Sequence, residues 1–312
     1  ALKRAFGWSA SCVALADRDG QIVAGAQLLY RALPLRLGTI AYVPRGPLLD
    51  WQDDAAARAL VGALDAEARR RRAALLKVEP GLDDTPDNAA RLAGLGFRPS
   101  PQTVQPPRTL AVDIAPDEET ILAAMKQKTR YNIRLSLRKG VTVREGGLHD
   151  LPAFNAMMQV TGERDRFGVH APAYYRLAYE LFTPAGRAAL LIASHAGEDL
   201  AAVMVFALGQ TAWYFYGGST NTRRNLMPTY AAQWEAMRWA RARGCTVYDL
   251  WGVPDADEAA LEAGFAERDD GLWGVYRFKR GFGGRLVRTV GAWDRVYSPL
   301  LYAVYRLMVG RE

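Results

Sequence analysis

One order of segments occurs twice along this 312-residue chain, and nothing else in it restricts the fold as much. The first pass opens with strand-like runs at Ser11–Ala16 and Gln21–Tyr30 around Asp17-Arg18-Asp19-Gly20, where an Asp-Gly pair between apolar runs signals a hairpin. A strand at Thr39–Val43 ends at Pro44-Arg45-Gly46-Pro47. A helical stretch from Asp53 to Arg72 follows, then a strand at Ala73–Val78 that ends in Glu79-Pro80, then a corner from Leu92 to Phe97. The second pass has a hairpin of Ala188–Ser194 and Leu200–Ala207, and a strand at Thr211–Tyr216 running into Gly217-Gly218. A helix from Pro228 to Arg243 has proline in its first turn and Gly244 as its stop. A strand at Cys245–Leu250 and a Leu261-Glu262-Ala263-Gly264-Phe265 corner complete it. The repetition implies an internal duplication, and mixed sheets flanked by helices: an α/β chain.

Between the passes lie a polar, proline-rich stretch (Ser100 to Arg108) and a strand at Thr109–Ile114. A single helix is then expected over 117–139, with Ile121, Met125, Ile133 and Leu137 on an i, i+4 ladder, Thr129 in its gap and Gly140 closing it. This sets domains at 1–114, completed by 290–312, and at 115–289. The segment order is similar to that of the GNAT acyltransferase core, so the expected architecture is two tandem GNAT-like domains; the similarity raises acyl transfer as the activity without establishing it. No run of eighteen apolar residues and no signal-like opening appears, and Ser298–Val309, broken by Arg306, reads as a terminal helix packed on a domain. A cytoplasmic protein is expected.

Composition removes several function classes. Cys12 and Cys245 both sit in apolar runs and read as two buried thiols. His149, His170 and His195 share no ligand spacing, so neither a metal site nor a Ser-His-Asp triad is expected. The formal net charge of +7 is concentrated: residues 126–144 hold seven cations, and 277–295 hold six against one acid. A polyanionic partner fits such clustering, although a basic balance alone shows only that binding one is electrostatically easy.

Lys126, Arg130, Arg134 and Arg138 fall four apart and, with Lys128 beside them, form either a solvated helix face or a phosphate-binding stripe. Tyr216 and the paired glycines after it, followed by Arg223, Arg224 and the start of the Pro228 helix, suit close approach of an anionic ligand. The same residues also read as an ordinary turn with core aromatics, and Tyr230 as either a ligand contact or packing. Glu79 and Asp249 end strands, where each either serves an amine nucleophile or hydrogen-bonds a loop. The most specific run is Tyr276-Arg277-Phe278-Lys279-Arg280-Gly281-Phe282-Gly283-Gly284. Lys279, its stem held by Phe278 and Phe282, is placed to stabilise an acyl-transfer oxyanion, unless it is a surface lysine among core aromatics. No Arg/Gln-x-x-Gly-x-Gly/Ala loop follows either central strand, which argues against acetyl-CoA as donor.

Taken in order, several stretches resemble the FemABX peptidoglycan-bridge aminoacyltransferases: Tyr42 to Pro47, Lys126 to Val141, Thr161 to Phe167, Gly217 to Glu235, Tyr248 to Asp255, and Tyr276 to Gly284. The resemblance implies aminoacyl-tRNA as donor and UDP-MurNAc-pentapeptide or lipid II as acceptor, with peripheral contact to the inner membrane face through a lipid-linked substrate, and no cofactor or metal. It implies that the first domain binds the precursor and that the second takes the aminoacyl-tRNA end. By matching position it gives Phe278 and Lys279 the catalytic roles, Tyr230 an acceptor-site role, Lys3 a contact to precursor phosphates, and Glu79 the place of an acid near the attacking amine. The family usually has Asp before Pro where this chain has Glu79. The chain also begins inside the family's opening motif and lacks the inserted helical hairpin of longer members, as the shorter, FemX-like ones do. The implied reaction is aminolysis of an activated ester by a stem-peptide amine. Two alternatives stand beside it: an acyl-CoA-dependent N-acyltransferase on the same fold, and a non-catalytic RNA-binding module using 126–144.

Overall fold

A computed structural model describes residues 1–309; of the span expected to complete the first domain, 310–312 lie outside the described residues. The chain divides into two compact units, Ala1–Pro107 with Arg288–Glu312, and Arg108–Val287.

In the first unit a short helix α1 (Leu2–Ala5) leads into the antiparallel strands β1 (Ser9–Ala16), β2 (Ile22–Ala32) and β3 (Thr39–Val43). Helix α2 (Asp54–Arg70) crosses to β4 (Ala73–Val78), which pairs parallel to β3. The Asp53 carboxylate caps α2 through Ala55 and Ala56 N–H, and Leu60, Val61 and Leu64 bury its inner face. Helix α3 (Pro86–Gly94) and β5 (Arg98–Pro99) follow.

The second unit contains β6 (Arg108–Asp113), α4 (Glu118–Ala124), α5 (Gln127–Arg138), β7 (Thr142–Glu145), α6 (Leu151–Asp165), α7 (Pro172–Phe182), β8 (Ala188–His195), β9 (Glu198–Leu208) and β10 (Thr211–Ser219). Then come α8 (Pro228–Arg241), β11 (Val247–Gly252), α9 (Glu258–Gly264), α10 (Trp273–Lys279) and β12 (Arg285–Arg288). The chain returns to the first unit with β13 (Trp293–Val296) and α11 (Pro299–Val309). The two sheets run β1-β2-β3-β4-β13-β5 and β12-β6-β11-β10-β9-β8-β7. Each repeats one path: an antiparallel hairpin, a third strand, a helix, and a parallel return.

Three expectations are corrected. The strand at 108–113 pairs with β11 in the second sheet and does not end the first domain. Cys12 is exposed, because β1 is an edge strand whose alternate side chains face water; Cys245 is buried. The single helix over 117–139 is two. Asp117 caps α4, Met125 and Lys126 are extended (ψ 156 and 145), and α5 starts afresh at Gln127. The break is held by Lys126 N–H donating to the Gly281 carbonyl (2.9 Å), and by Arg130 reaching back to the carbonyls of Ala123 (2.9 Å) and Met125. Among the described residues no helix is long and apolar enough to cross a membrane.

Candidate active site

The second sheet opens where its two central parallel strands part. β10 and β11 pair only at Thr211–Val247, Ala212–Tyr248 and Trp213–Asp249. Beyond that point β10 stays with β9 through a bulge at Phe215 and runs on to Ser219, while β11 turns through Trp251 in a left-handed conformation (φ 66°). The corresponding pair of the first unit, β3 and β4, stays joined to its last residues, Val43 opposite Val78. A cavity of about 960 Å³ is lined by residues of both diverging strands, with α5, α6, α8 and α10 contributing to its walls.

The glycines that read as a turn continue β10. A Cβ on Gly218 would lie 2.6 Å from the Met157 carbonyl carbon, so α6 packs against bare backbone there. The contact is fixed by Ser219 N–H donating to Thr161 Oγ1 (2.9 Å) and by Thr161 Oγ1 donating to the Ser219 carbonyl (3.2 Å).

Lys279 ends α10 at the cavity wall, 6% exposed. Its Nζ donates to the Gly252 carbonyl (2.7 Å) and lies 5.9 Å from the centre of the Tyr214 ring. Burial pulls its pKa down to about 7, against the opposing pull of the Asp249 carboxylate. Phe278, Phe282 and Tyr230 form one aromatic cluster: Phe278 meets Tyr230 and Phe282 edge-on, each at 5.0 Å, and Tyr230 stacks on Phe282 at 5.7 Å. Lys279, Phe278, Tyr230 and Tyr216 therefore share one cavity. Tyr216 packs edge-on against Tyr175 (5.2 Å) and His170 (5.7 Å), and burial, followed by the charge of Tyr174, raises its hydroxyl pKa.

The turn after Lys279 is set by backbone freedom. Gly283 and Gly284 adopt φ of 77° and 93°, and a Cβ on either would strike the carbonyl oxygen of Ala124 or Ala111. Glu262 anchors the same region. Arg280 Nε donates to it at 2.8 Å and the Tyr276 hydroxyl at 3.1 Å, while Lys126 Nζ lies 3.4 Å away. The Arg280 guanidinium holds the Glu262 carboxyl down near about 2.

The cationic stripe does not form as the spacing suggested. Lys126 pairs with Glu262, and Arg130 is spent on carbonyls at the end of α4. Arg134 is exposed on α5, and Lys128 reaches the cavity wall. Arg224 also lines the cavity, but Arg223 turns to Glu198 (3.2 Å) and His195 Nδ1 (2.8 Å). Sequence reasoning missed Arg164, Arg277 and Arg280 as lining residues; with Lys128, Arg224 and Lys279 they set six cations against one acid, Asp165. The basic 277–295 cluster was a signal for two of them. Nothing in the spacing marked Arg164, which a helix end brings to the wall.

In the first unit Glu79 is buried, and both its oxygens are engaged. They accept from Val104 N–H (2.6 Å), Gln105 N–H (3.1 Å) and the Tyr42 hydroxyl. Glu79 thus hydrogen-bonds the loop at 104–105. Lys3 is exposed on α1. Among the described residues no group of His, Cys, Asp and Glu could hold a metal ion.

Two mixed sheets on one repeated path, the second parted over a basic cavity with a buried lysine at its wall, make a tandem GNAT-like fold. The chain belongs to the FemAB family, aminoacyltransferases whose family model matches residues 1–90, 87–199 and 191–309. It is similar to the lipid II:glycine glycyltransferase of Staphylococcus saprophyticus subsp. saprophyticus, 24% identical over 372 aligned positions that cover 97% of this chain and 87% of that protein. The alignment is longer than the chain, so the relative carries additional residues. Among solved structures the fold is similar to a crystal structure of FemX, with a TM-score of 0.87 at 23% identity, covering 97% of this chain and 92% of that one. It is also similar to a tandem GNAT protein from the clavulanic acid biosynthesis pathway (TM-score 0.54, 14% identity, 92% and 83% covered).

Proposed function

We propose that this protein transfers an amino acid from aminoacyl-tRNA to the side-chain amine of the third stem-peptide residue of a peptidoglycan precursor, forming an interpeptide bridge in the cytoplasm. The acceptor is UDP-MurNAc-pentapeptide or lipid II; the second, being lipid-linked, would bring the protein to the inner membrane face. The observation that carries this reading is Lys279, buried at a basic cavity and tied to the Gly252 carbonyl. In this reading the second unit takes the aminoacyl end of the tRNA, with Lys128, Arg224 and the exposed Arg134 offering charge to phosphates. The first unit takes the precursor, with Lys3 near its phosphates.

The amine nitrogen attacks the ester carbonyl carbon, and the negative charge that collects on the carbonyl oxygen is met by the Lys279 ammonium. Collapse breaks the ester C–O bond; the ribose oxygen leaves as a hydroxyl with a proton, and the amine nitrogen gives one up. An ester of tRNA is activated already, so no covalent enzyme intermediate is required, and positioning with charge stabilisation suffices. A fixed ammonium in a site shielded from water acts far more strongly than one in bulk solvent. Phe278 and Tyr230, packed on each other and on Phe282, form part of the same cavity's wall. Lys126, Arg130 and Arg223, bound to protein partners, have the smaller part.

Incubating the full chain with UDP-MurNAc-pentapeptide and a panel of charged tRNAs, then weighing the products, tests the reading. A mass gain of one aminoacyl residue is expected for at least one tRNA. Absence of product with every tRNA, and with lipid II as acceptor, would overturn it. Lys279→Ala should lower turnover by about 10²-fold or more with a modest change in acceptor affinity; near-normal turnover would remove Lys279 from the reaction.

A further inference from the structure

Three segments of the first unit converge at one end of its sheet. Ala32 pairs with Thr39, so the β2–β3 connection, Leu33 to Gly38, closes there. Thr39 N–H and Oγ1 donate to the carbonyls of Arg72 (3.0 Å) and Arg71 (3.0 Å), which brings in the end of α2. Ser298 N–H donates to the Ala74 carbonyl (3.0 Å), which brings in the start of α11.

What these segments present is unlike an ordinary solvated surface. Leu35, at φ 54°, is 89% exposed, Leu37 is 53% exposed, and Leu300 is 76% exposed. Beside the β2–β3 connection stand four consecutive exposed arginines, Arg69 to Arg72; Arg70 and Arg71 share Glu67, Arg69 lies over the Tyr297 ring, and the nearby Asp65 is already paired with Arg295. A core does not need these leucines, since the unit's own core is built from β2, β3, β4, α2 and Trp293. Polyanions in water attract arginines but offer leucine side chains nothing. A lipid–water boundary offers both: anionic headgroups for the cations and acyl chains for the apolar tips.

The geometry points to this pole, where Leu35 and Leu37 stand beside Arg69 to Arg72 and Leu300 lies at the same end of the sheet, as a docking surface for an anionic phospholipid membrane. The occupant is the headgroup layer itself, so the inference does not depend on the transfer reaction. Four arginines against one acid fix the sign of the surface it fits, and the leucines fix its depth at the headgroup–acyl boundary.

The test is sedimentation of the full chain with vesicles of phosphatidylcholine alone or with phosphatidylglycerol added, no precursor being present. Binding to the phosphatidylglycerol vesicles is expected, weakening as salt rises. The double variant Leu35→Ser with Leu37→Ser should lower partition at least tenfold. Replacing Arg70 or Arg72 with Gln should lower it about fivefold each. All these side chains are exposed, so unchanged thermal melting confirms that the variants fold. Failure of the wild type to sediment with anionic vesicles overturns the proposal, and so does equal partition of the leucine variant. If the arginine variants lose tRNA binding while vesicles are ignored, the pole is an RNA surface and the membrane assignment falls. Transfer to the soluble UDP-linked acceptor, assayed in the leucine variant, should persist, which separates failure here from failure of the proposed reaction.

Discussion

A primary amine withdrawn from water retains its proton poorly, and Lys279 carries that tension into the folded state. Burial brings its pKa from 10.5 to about 7, and the Gly252 carbonyl supplies one hydrogen bond in place of hydration. Because the folded chain binds this proton less well than the unfolded chain, folding is penalised in full below about pH 7, and the penalty fades as pH rises toward 10.5. Lys279→Met should therefore gain stability over the wild type most at pH 6, and the gain should shrink steadily by pH 9 in denaturant melts. A pH-independent difference would show that the side chain is not depressed. The tension has a use if the reaction is the one proposed: an oxyanion forming beside the amine restores what burial removed, so the group binds charge that develops more strongly than charge that is absent. The burial of this residue was only half legible in the chain: a lysine between Phe278 and Phe282, before a glycine pair, fits a packed stem and a surface lysine among core aromatics equally by pattern, and the fold places it at the cavity wall. Arg164 was not legible, because its place at the wall follows from the packing of α6 against Gly218 and Ser219, and no local pattern encodes that packing.

At the scale of elements, periodicity served where packing agreed with it. The inner strands β3 and β4 and the helices α2 and α8 were legible because one apolar face or a continuous apolar run dictated them. The helix at 117–139 was read as one piece because Ile121, Met125, Thr129 and Ile133 keep an i, i+4 ladder across the break, and all four are buried. The break comes from a partner 155 residues along the chain, the Gly281 carbonyl, and from Arg130 folding back over the end of α4. The same event dissolves the cationic stripe, since a charge committed to carbonyls is withheld from phosphate. Arg130→Met should lower stability by about 1–3 kcal/mol, as expected for losing charged hydrogen bonds to partly buried carbonyls. It should weaken tRNA binding less than Arg134→Gln does. Filter binding of both variants beside urea melts checks this, and a larger binding loss for Arg130→Met would return the residue to the interface. β10 was cut short at Tyr216 because a glycine pair ordinarily marks a turn, whereas here it removes side chains from the path of α6.

For the whole molecule, the connectivity of the first unit matters most. β13 lies between β4 and β5, pairing Trp293 with Val78 on one side and with Pro99 on the other, and Trp293 is part of the core. The second unit, 108–287, is continuous. A fragment of 108–287 should therefore melt cooperatively by circular dichroism, while 1–107 alone should show no cooperative transition. Addition of a 288–312 peptide should restore one; a cooperative melt for 1–107 by itself would mean that β13 is dispensable. The sequence sets the first domain at 1–114 with 290–312, whereas the strand it predicts at 109–114 pairs with β11 in the second sheet, because a strand's own residues do not say which neighbour it will meet. Threading β13 into the sheet's interior also reverses the order of maturation during synthesis: the segment translated first must wait, incomplete, until a strand encoded after the whole second unit emerges from the ribosome, so the later-made half is free to fold before the earlier one.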